Sequence, residues 1–145
     1  MICGDSGLYF DGLPLDDARQ PGLTVRSPQG KRLNDEEMTA YYAALAASLG
    51  GCLTACYLSA YAAYCAGSVS TCSETWEEAM QGAFWLVDTP SPITHPGWPL
   101  DSLSKDPKSG LYFTERTVKE LTADNAVLEG RNMRVREFLK DAFAL

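Results

Sequence analysis

The chain has 145 residues, 46% hydrophobic and 21% charged, with 12 Lys plus Arg against 19 Asp plus Glu. That length suits one domain over residues 1–145 that folds without disulfide or metal, and the composition excludes a disordered, collagen-like or fibrous chain. The net charge of -7 is concentrated: no Lys or Arg occurs from Leu33 to Ser104, a block carrying Asp35, Glu36, Glu37, Glu74, Glu77, Glu78, Asp88 and Asp101, which repels nucleic acid and favours a partner protein with a basic surface.

Residues 1–6 lack the positive and apolar regions of a signal peptide, so a cytoplasmic location with reduced thiols is expected. Residues 23–33 read as a hairpin, with Pro28 and Gly30 at the second and fourth positions of a type I turn. Asn34 followed by Asp35, Glu36 and Glu37 reads as a helix N-cap with carboxylates in the first turn, predicting a helix from 35 to about 49. Gly50-Gly51 interrupts it, and a second helix is expected over 52–66, stopped by Gly67. Thr71 with Glu74 reads as a capping box opening a third helix over 74–87, with Trp76, Met80, Phe84 and Val87 on one side.

Five prolines between 88 and 110 predict a long loop, and long loops in compact domains are often functional. Beyond it come a short strand at 111–113, a helix at 115–122 and a closing helix at 132–144, whose stripe is Val135, Phe138, Leu139, Ala142 and Phe143. The pentapeptide Ser-Gly-Leu-Tyr-Phe occurs at 6–10 and again at 109–113, each copy reading as a glycine turn leading into a strand.

With 17 Leu and 17 Ala against 6 Val and 2 Ile, the expected fold class is mainly α (α+β). Its centre is a close-packed Ala/Gly-rich helical pair, joined by further helices and a small N-terminal β-hairpin or sheet. Residues 39–73 contain no charge and repeat small residues every fourth position, at Ala43, Ala47, Gly51, Ala55, Ser59, Ala63 and Gly67. This raises membrane insertion as an alternative; the glycine pair and the scattered tyrosines favour soluble helices instead.

Cys52, Cys56, Cys65 and Cys72 lack the paired spacing of a zinc site, and Glu74, Glu77 and Glu78 have no histidine on their predicted face. No metal and no cofactor are expected. Cys52 falls at a predicted helix N-terminus, where the dipole favours a thiolate, and His95 is the single histidine. This pair resembles the arrangement of papain-like cysteine hydrolases, which implies Cys52 as nucleophile and His95 as base. The leading reading is a non-catalytic acidic protein-binding module, such as an inhibitor, immunity protein, adaptor or assembly subunit. Its contact residues would be Glu74, Glu77, Glu78, Asp88, Trp98 and Asp101, the last two in an exposed Pro/Trp loop.

Overall fold

The computed structural model describes residues 1–117 and 125–144. Its centre is an antiparallel sheet built around one long strand. Strand β2 (Cys52–Cys65) pairs along one edge with β1 (Ile2–Phe10), from Ile2 opposite Ala63 to Phe10 opposite Ala55. Its other edge is shared between two strands: β3 (Ser68–Ser73) takes residues 60–65 and β4 (Phe84–Val87) takes residues 52–55. A two-residue β5 (Ser104–Lys105) extends the sheet beyond β4. Among the described residues three α-helices accompany it: α1 (Asp35–Ser48), α2 (Trp76–Met80) and α3 (Asn125–Phe143).

The mainly helical expectation is therefore overturned, because residues 52–66 form a strand and not the second member of a helical pair. Ala66 (φ 49°) and Gly67 (φ 84°) both adopt positive φ between the paired Cys65 and Ser68. That is the geometry of a two-residue type I′ turn, whose twist matches the flanking strands. Gly67 thus closes a hairpin instead of ending a helix. Once β1 and β3 flank β2, the helix preference of its alanines is outweighed by ladder bonds and by Leu53 and Ala55 buried against the core. The third predicted helix shrinks to one turn, capped by Thr75 and Glu78 instead of Thr71 and Glu74; Phe84 and Val87 bound β4. Residues 28–30 form a 3-10 turn and not a hairpin. The second Ser-Gly-Leu-Tyr-Phe copy gives only a turn, a single bridge from Tyr112 to Lys105 and a 3-10 turn at Phe113–Glu115. The helix expected at 115–122 lies largely outside the described residues.

Helix α1 starts where expected and is tied by a reciprocal capping box: Asn34 Oδ1 accepts from Glu37 N–H and Glu37 Oε2 accepts from Asn34 N–H, each at 2.9 Å. It presents Met38, Tyr42 and Ala46, one turn apart, to a core of Leu8, Phe10, Leu53, Ala55, Phe84, Leu86, Leu100 and Leu103. The Tyr42 hydroxyl, buried at the bottom of this core, donates to the Val25 carbonyl at 2.8 Å and so ties down the 23–33 segment. At the far end of α1, Gly51 sits at φ +86°, and an added Cβ would stand 3.0 Å from Asp88 Oδ2. We expect Gly51→Ala to destabilise the protein by about 1–3 kcal/mol, for backbone strain and not for helix overpacking. Denaturant unfolding checks this; an unchanged midpoint would show that the turn relaxes.

Candidate functional site

The sheet is split where β3 and β4 leave β2. Among the described residues no strand pairs with 56–59 on that edge, and Glu74 and Arg131 supply hydrogen bonds there. Glu74 Oε2 accepts from Ser59 N–H at 2.8 Å, while Glu74 N–H donates to the Ser59 carbonyl. Arg131, on α3, donates from Nη2 to the Tyr57 carbonyl at 3.2 Å and brings Nε to 2.6 Å from Glu74 Oε1. Buried backbone groups must be paired somewhere, and here a carboxylate and a guanidinium stand in for a strand. The gap thus remains ordered and open.

A hollow of about 530 Å³ lies along the gap. Its walls are Thr54 and Tyr57 from β2, Gly82 and Ala83 after α2, Phe84 and Trp85 from β4, Asp106, Pro107 and Lys108 after β5, then Phe113, Arg116 and Arg131. The rings are ordered against one another: Tyr57 stacks on Phe84 with centroids 5.7 Å apart, Phe113 tilts on Phe84 at 5.4 Å, and the Arg116 guanidinium lies 5.1 Å over Phe113. Lys108, Arg116 and four aromatic rings in one hollow fit a flat anionic ligand. A second hollow of about 330 Å³ also has Tyr57 in its wall, so the two hollows adjoin at that residue, and the pair of them is the groove referred to below. It is lined by Ser6, Leu23, Val25, Arg26, Met38, Gly97, Trp98, Pro99, Leu100 and Asp101. Both volumes lie in the range typical of small-molecule sites, roughly 300–1,000 Å³.

A three-way clamp shapes the second hollow. Asp35, in the first turn of α1, accepts from Arg26 Nη1 at 2.9 Å and from Gly97 N–H at 2.7 Å, and Arg26 Nη2 donates to the Gly97 carbonyl. The Arg26 guanidinium, then the Gly97 amide, hold the Asp35 carboxyl below its ordinary range. Tyr57 is pushed up to about 12, by desolvation first and by the Asp101 carboxylate second. A third hollow, between Tyr61, Cys72 and α3, has its cations engaged by carboxylates: Arg131 by Glu74, and Arg134 by Glu78.

Four of the eight carboxylates of the acidic block are paired with bases from outside it. Asp35 pairs with Arg26, Glu37 with Lys31, Glu74 with Arg131 and Glu78 with Arg134, and Asp101 lies 3.5 Å from His95 Nδ1. Of the proposed contact residues, Trp98 and Asp101 line the groove. Glu74 and Glu78 are engaged in ion pairs with α3; Glu77 lies on α2; and Asp88 accepts from the neighbouring Thr89 hydroxyl. Tyr57, Lys108, Phe113, Arg116, Arg131 and Arg26 escaped the sequence reading. The basic ones lie outside the base-free block, and Tyr57 was placed on a helix.

Cys52 is exposed as the first residue of β2, so the helix dipole invoked for it is absent, and the cysteine-hydrolase alternative loses its premise. Among the described residues no helix is long and apolar enough to cross a membrane; the uncharged stretch becomes the end of α1, β2 and β3. No described group of three His, Cys, Asp or Glu residues could hold a metal ion.

Cys56 is the buried thiol, and burial pushes it up to about 11. A folded value above the unfolded one, about 8.5, means its stabilisation is full below that pH and is lost as pH rises through 11. We expect about 2 kcal/mol of stability to go by about pH 10, a loss that Cys56→Ala abolishes. Denaturant melts at neutral and alkaline pH measure the difference; equal slopes in both proteins would exclude it.

No family model and no curated protein matches the sequence. Solved structures do. A nucleoside-triphosphatase, a dITP/XTP pyrophosphatase from Mycobacterium abscessus, is 19% identical with a TM-score of 0.63, over 93% of this chain and 63% of that one. The Staphylococcus aureus Ham1 protein is 17% identical with a TM-score of 0.54, over 90% of this chain and 67% of that one. The chain thus spans somewhat under two thirds of the first neighbour's length. At these identities the likeness is one of fold. Two expectations fall with it: the non-catalytic acidic module or inhibitor, and a basic protein as partner with no nucleic acid. The fold is one shared with a nucleotide enzyme, and half of the carboxylates meant to attract a basic protein are engaged in internal ion pairs.

Proposed function

We propose that the groove binds a nucleoside triphosphate and that the chain hydrolyses it between the α and β phosphorus atoms. The observation that carries this reading is the convergence of ring faces and cations on one groove, within a fold shared with a protein named as a dITP/XTP pyrophosphatase. Lys108 and Arg116 form the cationic end, where their charge stabilises phosphate oxygens and the leaving pyrophosphate. Tyr57 and Trp98 provide faces for the base, and Asp101 accepts from its N–H groups while repelling phosphate. Water oxygen bonds to the α phosphorus, the bridging P–O bond breaks, and nucleoside monophosphate and pyrophosphate leave.

The test is a panel of dITP, XTP, dGTP and ATP incubated with the purified chain, with phosphate assayed before and after adding inorganic pyrophosphatase. Phosphate that appears only after that addition identifies α–β cleavage; direct phosphate release identifies terminal cleavage and overturns the assignment. Nucleotide titration followed by tryptophan fluorescence reads binding separately, through Trp85 and Trp98. Absence of both binding and turnover removes the reading.

A further inference from the structure

Trp98 offers its ring to the groove without being held there by packing. The ring is 70% exposed, and it ends a stretch, 92–98, in which every residue is exposed. Both ends of that stretch are fastened. Ser91, 4% exposed, donates its N–H to the Ser102 carbonyl at 2.7 Å and accepts from the Thr114 hydroxyl, while Pro99 and Leu100 are buried on the other side. Among the described residues, every hydrogen bond that ties 92–98 to a part of the chain outside the 88–110 loop ends on Gly97. The Gly97 N–H donates to Asp35 Oδ2 at 2.7 Å, its carbonyl accepts from Arg26 Nη2 at 3.2 Å, and Arg26 Nη1 donates to Asp35 Oδ1 at 2.9 Å. Both polar groups of the residue before Trp98 are thus bound to charged side chains from elsewhere in the chain.

We infer that Asp35 is a positioning residue for the groove: through Gly97 it fixes the backbone that carries Trp98, so that the ring stands in place before a base arrives. This rests on the reading of the groove as a nucleoside triphosphate site. A ring set in advance spares the ordering cost that a loose strap would incur on binding. Asp35 suits the task because its own place is settled independently. It is the first residue of α1, whose start is tied by the Asn34 and Glu37 side chains and not by Asp35. Its bonds to an amide and a guanidinium are charge-assisted, roughly twice as strong as neutral ones. The Arg26 and Asp35 side chains are nonetheless 33% and 41% exposed, so the pair contributes little to global stability, and losing it should free the strap without unfolding the domain. The carboxylate therefore acts on the ring that meets the base and not on the cations that meet the phosphates.

The experiment uses the full chain labelled with fluorotryptophan, the Trp98 signal in the fluorine NMR spectrum being assigned with Trp98→Phe. In Asp35→Ala the Trp98 signal is expected to move, and exchange of the Gly97 amide to rise roughly tenfold. Asp35→Asn, whose side-chain oxygen still accepts from Gly97, should restore most of that protection. Glu36→Ala, which removes an exposed carboxylate from the same helical turn, should change neither signal nor exchange. Calorimetry then compares two ligands. For Asp35→Ala, Kd for dITP should rise roughly fivefold, whereas Kd for inorganic tripolyphosphate, which has no base to stack, should stay within about twofold. An unchanged Trp98 signal with unchanged Gly97 exchange overturns the inference. So does an equal loss for both ligands, which would make Asp35 a support of the fold. A wild type that binds neither ligand overturns the reading of the groove instead, and Asp35 is then judged by the Trp98 signal and the Gly97 exchange, both read without nucleotide.

Discussion

Glu74→Ala is expected to be the most destabilising single change, costing about 2–4 kcal/mol and lowering Tm by roughly 10 °C. The Glu74 carboxylate is 9% exposed and answers three groups at once: the Ser59 amide, the Arg131 Nε and the Arg131 Nη2. Alanine leaves the Ser59 amide with no acceptor and the Arg131 guanidinium with the Tyr57 carbonyl in place of a carboxylate, and losing one partner of a buried pair costs more than the pair contributes. Glu74→Gln keeps an acceptor for Ser59 and should lose less than half as much. Thermal unfolding of the two variants separates charge from hydrogen bonding. If alanine and glutamine melt together with the wild type, the split in the sheet is held by something other than this pair.

Tyr57→Ala should have the largest effect on binding. The ring is the wall common to both hollows, and stacking on an aromatic face contributes about 1–3 kcal/mol per base, so Kd for a nucleoside triphosphate is expected to rise roughly 10–100-fold. Phe84, beneath it, is buried in the core and should hold the fold. Glu77→Gln changes an exposed charge of the acidic block that lines neither hollow and should leave Kd unaltered. Calorimetric titration of both variants is the measurement. A Kd that responds to Glu77 and not to Tyr57 would move the binding surface out of the groove.

The parts of this molecule legible in its sequence are those fixed locally. Asn34 and the carboxylates after it determine where α1 starts, because capping is settled within one turn. The proline run marked the segment that brings Trp98 and Asp101 to the groove. What failed was decided at a distance. Tyr57, Tyr61 and Tyr64, spaced three and four apart among alanines, imitate a helix face, and only β1 and β3 on either side make residues 52–65 a strand. The local signal against a helix was Ala66-Gly67, two residues fitted to a primed turn. The groove was unreadable for a related reason: Arg26, Tyr57, Lys108, Phe113 and Arg131 come from distant points of the chain, and no spacing links them.

The shared strand also has a consequence in time. The β2–β3 hairpin closes through neighbouring residues, whereas Ile2 must find Ala63 and Phe10 must find Ala55 across α1 and its loops. Contacts of such sequence separation make folding slow, in the millisecond-to-second range of sheet proteins, and not the microseconds of a helical bundle. On the ribosome β1 emerges first and its partner long after, so Leu8 and Phe10, both fully buried at the end, must wait in water. A nascent chain halted before residue 52 should therefore be the form most readily bound by chaperones, and extension through residue 65 should release it.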